Sequence, residues 1–318
     1  MKLIRNLNEL PSELRGGAVA IGNFDGVHQG HARIIETLRA RAAKVGGPAI
    51  VFTFEPHPVR LLRPDKVPPP LTWADRKAQL IAELDVDGMI VYPTDEHLLA
   101  LTPHDFFREI VVERLDARAM VEGPNFFFGK DRAGDIEVLR ELCDAHDVTL
   151  EVVQPLTAGD DYVSSSRIRR LIQMGDVGQA AEMLTRPYRI RGMVTHGAGR
   201  GAKIGFPTAN IDAIDTILPA IGVYAGWALF DNQRWPAAVN IGPNPTFGED
   251  RLKVEAHLIG YSGSLYGQPL EVDFLERVRE TRPFGSVDEL ASQLEHDIKV
   301  VNEIVERRTS SAEHRTPN

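Results

Sequence analysis

The chain has 318 residues, 43% hydrophobic and 25% charged, the balance of an ordinary soluble globular protein; at roughly 100–200 residues per domain, the length points to about two domains. With 36 Lys and Arg against 45 Asp and Glu the formal charge is −9, which argues against sequence-independent nucleic-acid binding, a property built on basic residues. A single cysteine, Cys143, excludes an intrachain disulfide and a Cys-rich zinc module; no apolar run approaches the ~20 residues of a membrane span, and MKLIRNLNELPSELRGG lacks the apolar core of a signal peptide, so a cytoplasmic location is expected.

In chain order, the first half alternates short apolar runs with helical periodicity. Residues 18–21 read as a buried strand, followed by a Gly-rich turn. A helix then carries Ile34, Ile35, Leu38, Ala42 and Val45 on one face. Residues 49–54 form the next strand, and RPDKVPPPL after it is a loop. Thr72 caps a helix running to Leu84, and 88–92 is a strand. Thr102-Pro103 pairs an N-cap with Pro at the first helical position, opening a helix that buries Phe106, Ile110 and Leu115. A strand at 119–122, a helix at 134–146 and a strand at 148–153 complete the series. This alternation predicts a doubly wound parallel sheet covered on both faces, with ligands at the carboxyl ends of its strands.

Near residue 187 the pattern changes. Strand-like runs at 188–195, 223–230, 235–241, 253–259 and 270–274 are separated by Gly, Pro and Asn turns. One long helix follows, opened by a capping box of Ser286 and Glu289 with Val287, Leu290, Leu294, Ile298 and Val301 on its apolar face. The expectation is a small antiparallel barrel with a helix packed on it, so that the domains divide as 1–186 and 187–318. The tail SSAEHRTPN is expected to be irregular.

Four segments carry chemistry. The first, GNFDGVHQGH at 22–31, places three glycines, Gly30 among them, between a strand and a helix. Such a turn brings backbone close to a ligand, and a helix start favours phosphate. His28 and His31, three apart, are placed to donate to an α-phosphate as its charge grows; an incidental pair in a Gly-rich turn is the competing reading, and a third ligand that zinc would need is absent nearby. The second, Ser164-Ser165-Ser166 before Arg167 and Arg169, is either a helix cap or an anion-binding helix start. In the third, HGAGRGAKIGFPTAN at 196–210, Pro207 rules out a dinucleotide fingerprint and no GxxxxGK[ST] string occurs. The segment offers flexible backbone at Gly199, cations including Lys203, and Thr208 and Asn210 as oxygen ligands suited to Mg²⁺; a surface loop competes with that reading. In the fourth, strand alternation puts Lys253, Glu255 and His257 on one face. That face is either solvated, or it presents Glu255 as a general base.

Together with FEPHP at 54–58, GPNFFFGK at 123–130, GVYAG at 222–226, NIGPNPTFG at 240–248, EAHL at 255–258 and LYG at 265–267, these segments follow one order and separation. By them the chain resembles the prokaryotic bifunctional riboflavin kinase/FAD synthetase family from about residue 17 to about residue 305. The resemblance implies a C-terminal module that phosphorylates riboflavin with ATP to FMN, and an N-terminal nucleotidyltransferase that transfers AMP from ATP to FMN, giving FAD and pyrophosphate. It implies Glu255 as catalytic base, Thr208 and Asn210 as Mg²⁺ and phosphate ligands, and His28 and His31 as stabilisers of the reacting phosphates. ATP would be held by Asn23, Gly30, Asn125, Ser164, Ser165, Ser166 and Arg169 in one module, and by Gly199 and Lys203 in the other. Phe54, Pro56, Pro58 and Phe128 would pack on the isoalloxazine ring. Flavins and ATP are thus the expected partners, without nucleic acid or membrane, and the oligomeric state is open.

Four positions depart from the family pattern: Ser166 stands where Thr is usual, Pro243-Asn244 precedes the PT pair, no acidic residue precedes LYG, and Arg282-Pro283-Phe284 replaces a Lys-Phe. A different HxGH nucleotidyltransferase would explain only the first half. A single-activity enzyme and a non-catalytic flavin-binding regulator also compete with two activities on one chain. A regulator need not keep His28, His31, Asn210 and Glu255, all of which are here.

Overall fold

The computed structural model describes residues 1–57, 61, 67–159, 161–197, 199–244 and 249–313. Pro58 of the flavin-binding expectation lies outside them, as do 63–66 of the Pro-rich loop and 245–248 of NIGPNPTFG. The chain forms two compact units, residues 1–68 with 73–164 and residues 69–72 with 165–318.

The first unit is a parallel sheet with helices. In chain order it has β1 (Lys2–Ile4), β2 (Ala18–Ile21), α1 (Gln29–Val45), β3 (Ala49–Glu55), α2 (Ala74–Ala82), β4 (Gly88–Pro93), α3 (Glu96–Ala100) and α4 (Pro103–Phe106), which runs on as a π-helical stretch, Phe107–Arg114. Then come β5 (Ala119–Glu122), α5 (Ile136–Ala145), β6 (Thr149–Val152) and a small hairpin of β7 (Thr157–Ala158) and β8 (Asp161–Tyr162). The sheet order is β1-β4-β3-β2-β5-β6, with every pairing parallel.

Alternation along the strands supplies two cores. Val19, Ile21, Phe52 and Ile90 face Phe106, Phe107, Ile110 and Leu139, whereas Ala18, Ala20, Val51 and Met89 face Ile35, Leu38, Leu80 and Ile81. Helices on both faces leave no solvated side, which is why these strands read as unbroken apolar runs. Strand order reverses between β2 and β5, and crevices form at the carboxyl ends of strands beside such a reversal.

Thr102 caps its helix as expected, its Oγ1 accepting from Asp105 N at 3.1 Å. The helix expected from Thr72 instead begins at Ala74 with Trp73 at the N-cap and no side-chain cap bond. Strand β1, three residues long, was not foreseen.

The second unit begins with α6 (Ser165–Met174) and α7 (Val177–Leu184). It continues with β9 (Tyr188–Thr195), the single turn α8 (Arg200–Lys203), β10 (Ala209–Asp212), β11 (Gly222–Phe230), β12 (Gln233–Asn244), β13 (Glu249–Leu258), β14 (Pro269–Arg279) and α9 (Val287–Glu313). The strands close a barrel in the order β10-β13-β12-β11-β14-β9, with β10 pairing back to β9 and every pairing antiparallel. Sequence periodicity divides the chain after residue 186, while packing divides it after Ser164. The difference comes from α6 and α7: α7 lies against β9 and β14, and Ala220 N donates to Ile172 O at 3.2 Å.

Helix α9 has two parts. Its second half buries Val301, Ile304 and Val305 against Ala225 and Leu275, each worth about 1.5–3 kcal/mol of apolar transfer. Its middle is pinned by Asp297, 1% exposed, whose oxygens accept from Arg279 Nε at 2.9 Å and Nη2 at 2.7 Å. The capping box forms with Ser286 Oγ accepting from Glu289 N at 3.1 Å, while Glu289 Oε2 reaches back to Gly285 N at 3.0 Å rather than to Ser286. Of the tail expected to be irregular, 310–313 continue the helix through Glu313, and 314–318 lie outside the described residues.

Candidate active sites

In the first unit, residues 22–28 climb from the end of β2 to the start of α1 through left-handed backbone at Phe24, Gly26 and Val27. His28 is the N-cap of α1, and its Nδ1 accepts from His31 N at 3.4 Å. A neutral ring that accepts at Nδ1 carries its proton on Nε2. The two imidazoles stack with centroids 3.7 Å apart and planes 17° apart, and Phe24 lies 5.1 Å from His31. Gly30 permits this stack: a Cβ there would sit 3.1 Å from the His28 ring. The pair expected from the HxGH spacing is therefore one unit at the helix start, where backbone N–H groups lack intrahelical partners.

Asn23 is next to it. Its carbonyl accepts from Thr53 Oγ1 at 3.3 Å, and its side-chain Oδ1 is buried with no hydrogen-bond partner among the described residues. Phe54 and Pro56, at the end of the adjacent strand β3, are partly buried, and the Pro56 carbonyl accepts from Thr94 Oγ1 at 2.6 Å. Asn125 is exposed on the turn after β5. Phe128 lies in the core cluster against which Phe54 also packs. It is 6% exposed, stacks on Phe126 at 5.3 Å and packs in the core with Phe106, while Phe127 is the exposed ring of the three, under the Arg132 guanidinium at 4.6 Å. Ser164 closes the first unit; Ser165, Ser166 and Arg169 open α6 in the second, where Arg169 Nε donates to Pro69 O at 2.9 Å.

Two charged groups in this unit escaped the sequence reading. Burial pushes the Lys77 ammonium below its ordinary range against the opposing pull of Asp25 and Glu55. Glu122, at the carboxyl end of β5, is 3% exposed. Burial pushes its carboxyl well above the ordinary range, opposed by a hydrogen bond from Ile21 N at 2.7 Å. Cys143, fully buried, has its thiol pushed up to about 12 by burial, then by Asp144 and Glu122, so it has no thiolate to offer as a nucleophile near neutral pH.

In the second unit, the unforeseen strand β10 organises the site. Asn210 pairs in register with Glu255 on β13, and Glu255 with Asn240 on β12. Three polar side chains thus stand abreast on adjacent strands. Alternation along β13 buries Val254, Ala256 and Leu258 and turns Lys253, Glu255 and His257 to the opposite face. That face is not open solvent. It lines a cavity of about 360 Å³ together with Thr208, Asn210, Gly199 and Lys203 and with Val287, Leu290, Leu294 and Ile298 of α9. The apolar face expected on this helix is therefore split: Val301 packs on the barrel, and the four earlier positions line the cavity.

Two contacts set the polar wall. His257 Nδ1 donates to Pro207 O at 2.8 Å, fixing the approach to Thr208. Gly197 lies so close to Asn210 that a Cβ would fall 2.1 Å from its side-chain nitrogen. Asn240 was missed as a site residue because its relation to Glu255 exists only in the strand register.

Residues 10–167 match the FAD synthetase family and residues 184–305 the riboflavin kinase family. Among curated relatives, a bifunctional riboflavin kinase/FMN adenylyltransferase from Pseudomonas fluorescens is 35% identical over 94% of this chain and 96% of its own. One so named from Bacillus subtilis (strain 168) is 34% identical over 91% and 92%. A crystal structure described as a macrolide-efflux protein from Streptococcus pneumoniae superposes with a TM-score of 0.84 at 29% identity, covering 94% of this chain and 98% of that one. No helix among the described residues of the present chain is long and apolar enough to cross a membrane.

Proposed function

The chain belongs to the bifunctional riboflavin kinase/FMN adenylyltransferase family, and from that premise we propose which of its residues carry each reaction. It is an enzyme of flavin cofactor synthesis with both activities on one chain. The kinase match beginning at residue 184 supports a functional division of 1–186 and 187–318, although packing assigns α6 and α7 to the barrel.

The barrel cavity carries the kinase reading, because an apolar helix face and a polar strand face both line it. Riboflavin has the same two halves. Its isoalloxazine ring lies on Leu290, Leu294 and Ile298, and the ribityl chain reaches Glu255. There the 5′-oxygen forms its bond to the γ-phosphorus of ATP as the bond from that phosphorus to the bridging oxygen breaks, and the hydroxyl proton passes to the Glu255 carboxylate. Asn240 and Asn210, abreast of Glu255, orient the hydroxyl and the phosphates, and Gly199 and Lys203 sit on the phosphate side. Thr208 and Asn210 offer hard oxygen donors in the same cavity, the donor type Mg²⁺ prefers. When bound with ATP, that ion would neutralise phosphate charge.

In the N-terminal module a phosphate oxygen of FMN attacks the α-phosphorus of ATP and pyrophosphate leaves. His28 donates from Nε2 to the α-phosphate, His31 supports it by stacking, and the start of α1 adds backbone N–H groups. The Oδ1 of Asn23, buried and without a partner among the described residues, supports a nucleotide contact there. Asn125 and Ser164 complete the ATP contacts within this unit, with Phe54 and Pro56 toward the flavin. Phe128 serves as support for that wall from the core, which its burial favours over direct stacking.

The test is a flavin time course with ATP and Mg²⁺, separated by chromatography. The parent converts riboflavin to FMN and then FAD. Glu255→Ala is expected to leave riboflavin unchanged yet convert supplied FMN to FAD, and a Glu255→Ala chain that still makes FMN would reject the role of this carboxylate.

A further inference from the structure

Strands β2 and β5 flank the reversal of strand order, but they pair only through Ala18 with Ala119 and Val19 with Met120. Beyond that they part, and the Ile21 amide, 3% exposed with its residue, faces no β5 carbonyl in the ladder. Buried backbone N–H groups need partners. Glu122, the last residue of β5, supplies one from its side chain, Oε1 accepting from Ile21 N at 2.7 Å. Its own carbonyl accepts from Val153 N at 2.8 Å, so the residue is held toward β6 by its backbone and grips β2 by its carboxyl. On the other side of β2, Gly22 N donates to Phe52 O at 2.9 Å and Thr53 Oγ1 to Asn23 O at 3.3 Å. The two residues that lead into the His28 turn are thus fixed by β3, and the one before them by Glu122.

We propose that Glu122 is a positioning residue for adenylyl transfer, its carboxyl replacing the missing strand pairing and so fixing where Asn23 and the start of α1 meet the nucleotide. AMVE is an apolar strand that ends in a buried acid, a costly choice unless the group is used. This rests on the assignment of His28 and Asn23 to the nucleotide.

The test compares Glu122→Val and Glu122→Gln in the full chain, with FMN and ATP as substrates and riboflavin phosphorylation in the same preparation as control. Glu122→Val is expected to raise KM for ATP in FAD formation roughly tenfold, the scale of a small misplacement of a binding loop, with kinase turnover unchanged. Glu122→Gln, which keeps an acceptor oxygen, is expected to restore KM to about the parent value. Parent-like KM in Glu122→Val, or equal damage in both variants, would overturn the proposal. If Glu122→Val does not fold, hydrogen exchange on the parent decides: the Ile21 amide is expected to be as protected as Val19, and exchange at loop rates would overturn it. His28→Ala separates the two ideas. FAD synthesis surviving in His28→Ala removes the underlying assignment, whereas its loss beside an unaffected Glu122→Val removes only the role of Glu122.

Discussion

The two units build their sites from different parts of the backbone. In the first, the chemistry stands on a turn and a helix start beyond the strand ends, and contiguous residues from Gly22 to His31 supply most of it. In the second it stands on the strands themselves, where Asn210, Glu255 and Asn240 come together from β10, β13 and β12 through register alone. A turn-borne site depends on local backbone and on the strand ends that anchor it. A strand-borne site is positioned by the whole barrel and depends on what covers it. The contrast predicts that damage in one unit leaves the other reaction standing.

The largest effect is expected from Glu255→Gln, which keeps shape and removes the base: kcat for FMN formation should fall by about 10²–10⁴, read by steady-state kinetics, with FAD formation from FMN unchanged. His28→Ala comes next. It removes one preorganised donor, so adenylylation should fall by about 10²–10³ while riboflavin phosphorylation persists. Asp297→Ala tests dependence on the cover of the cavity, because it leaves the Arg279 guanidinium without its buried partner. A destabilisation of about 3–5 kcal/mol in denaturant unfolding and a raised KM for riboflavin are expected, with little effect on adenylylation. Gly197→Ala forces Asn210 aside and should lower kinase kcat by roughly tenfold, against parent-like FAD formation.

The smallest effect concerns pH. The Glu122 carboxyl lies well above its ordinary value of 4.5 in the folded chain, so between these two values the folded state holds more proton than the unfolded one. Stability therefore falls as pH rises through that window, by at most about 1.4 kcal/mol per pH unit. Below the unfolded value the penalty is absent, and above the folded value it is complete. Glu122→Gln should flatten this slope in urea unfolding measured from about pH 5 to 8; an unchanged slope would assign the dependence to other groups.

How far the sequence could be read follows the same contrast. The bounds of β2, β5 and β9 match the expected runs, β2 and β5 because both their faces are buried and β9 because its residues alternate inward and outward. Strands β1 and β10, of three and four residues, are too short for a period to register. His28 and His31 were legible because a helix start brings i and i+3 together. Glu255 stayed ambiguous, since alternation separates two faces of a strand without saying what lies over either, and the apolar wall of α9 arrives more than thirty residues later in the chain. Asn240 opens the motif NIGPNPTFG, yet only the register of β12 on β13 ties it to Glu255. Three consecutive aromatics at 126–128 do not show in sequence which ring is exposed; Phe127 is the exposed one and Phe128 is buried.

Mixing the two full-length variants Glu255→Ala and His28→Ala with riboflavin, ATP and Mg²⁺ tests most directly whether each reaction has its own site. Neither variant alone should make FAD from riboflavin; His28→Ala should accumulate FMN, and the mixture should convert that FMN to FAD. FAD from either variant alone, or a mixture in which accumulated FMN is never adenylylated, would contradict the division of labour between the turn of the first unit and the strands of the second.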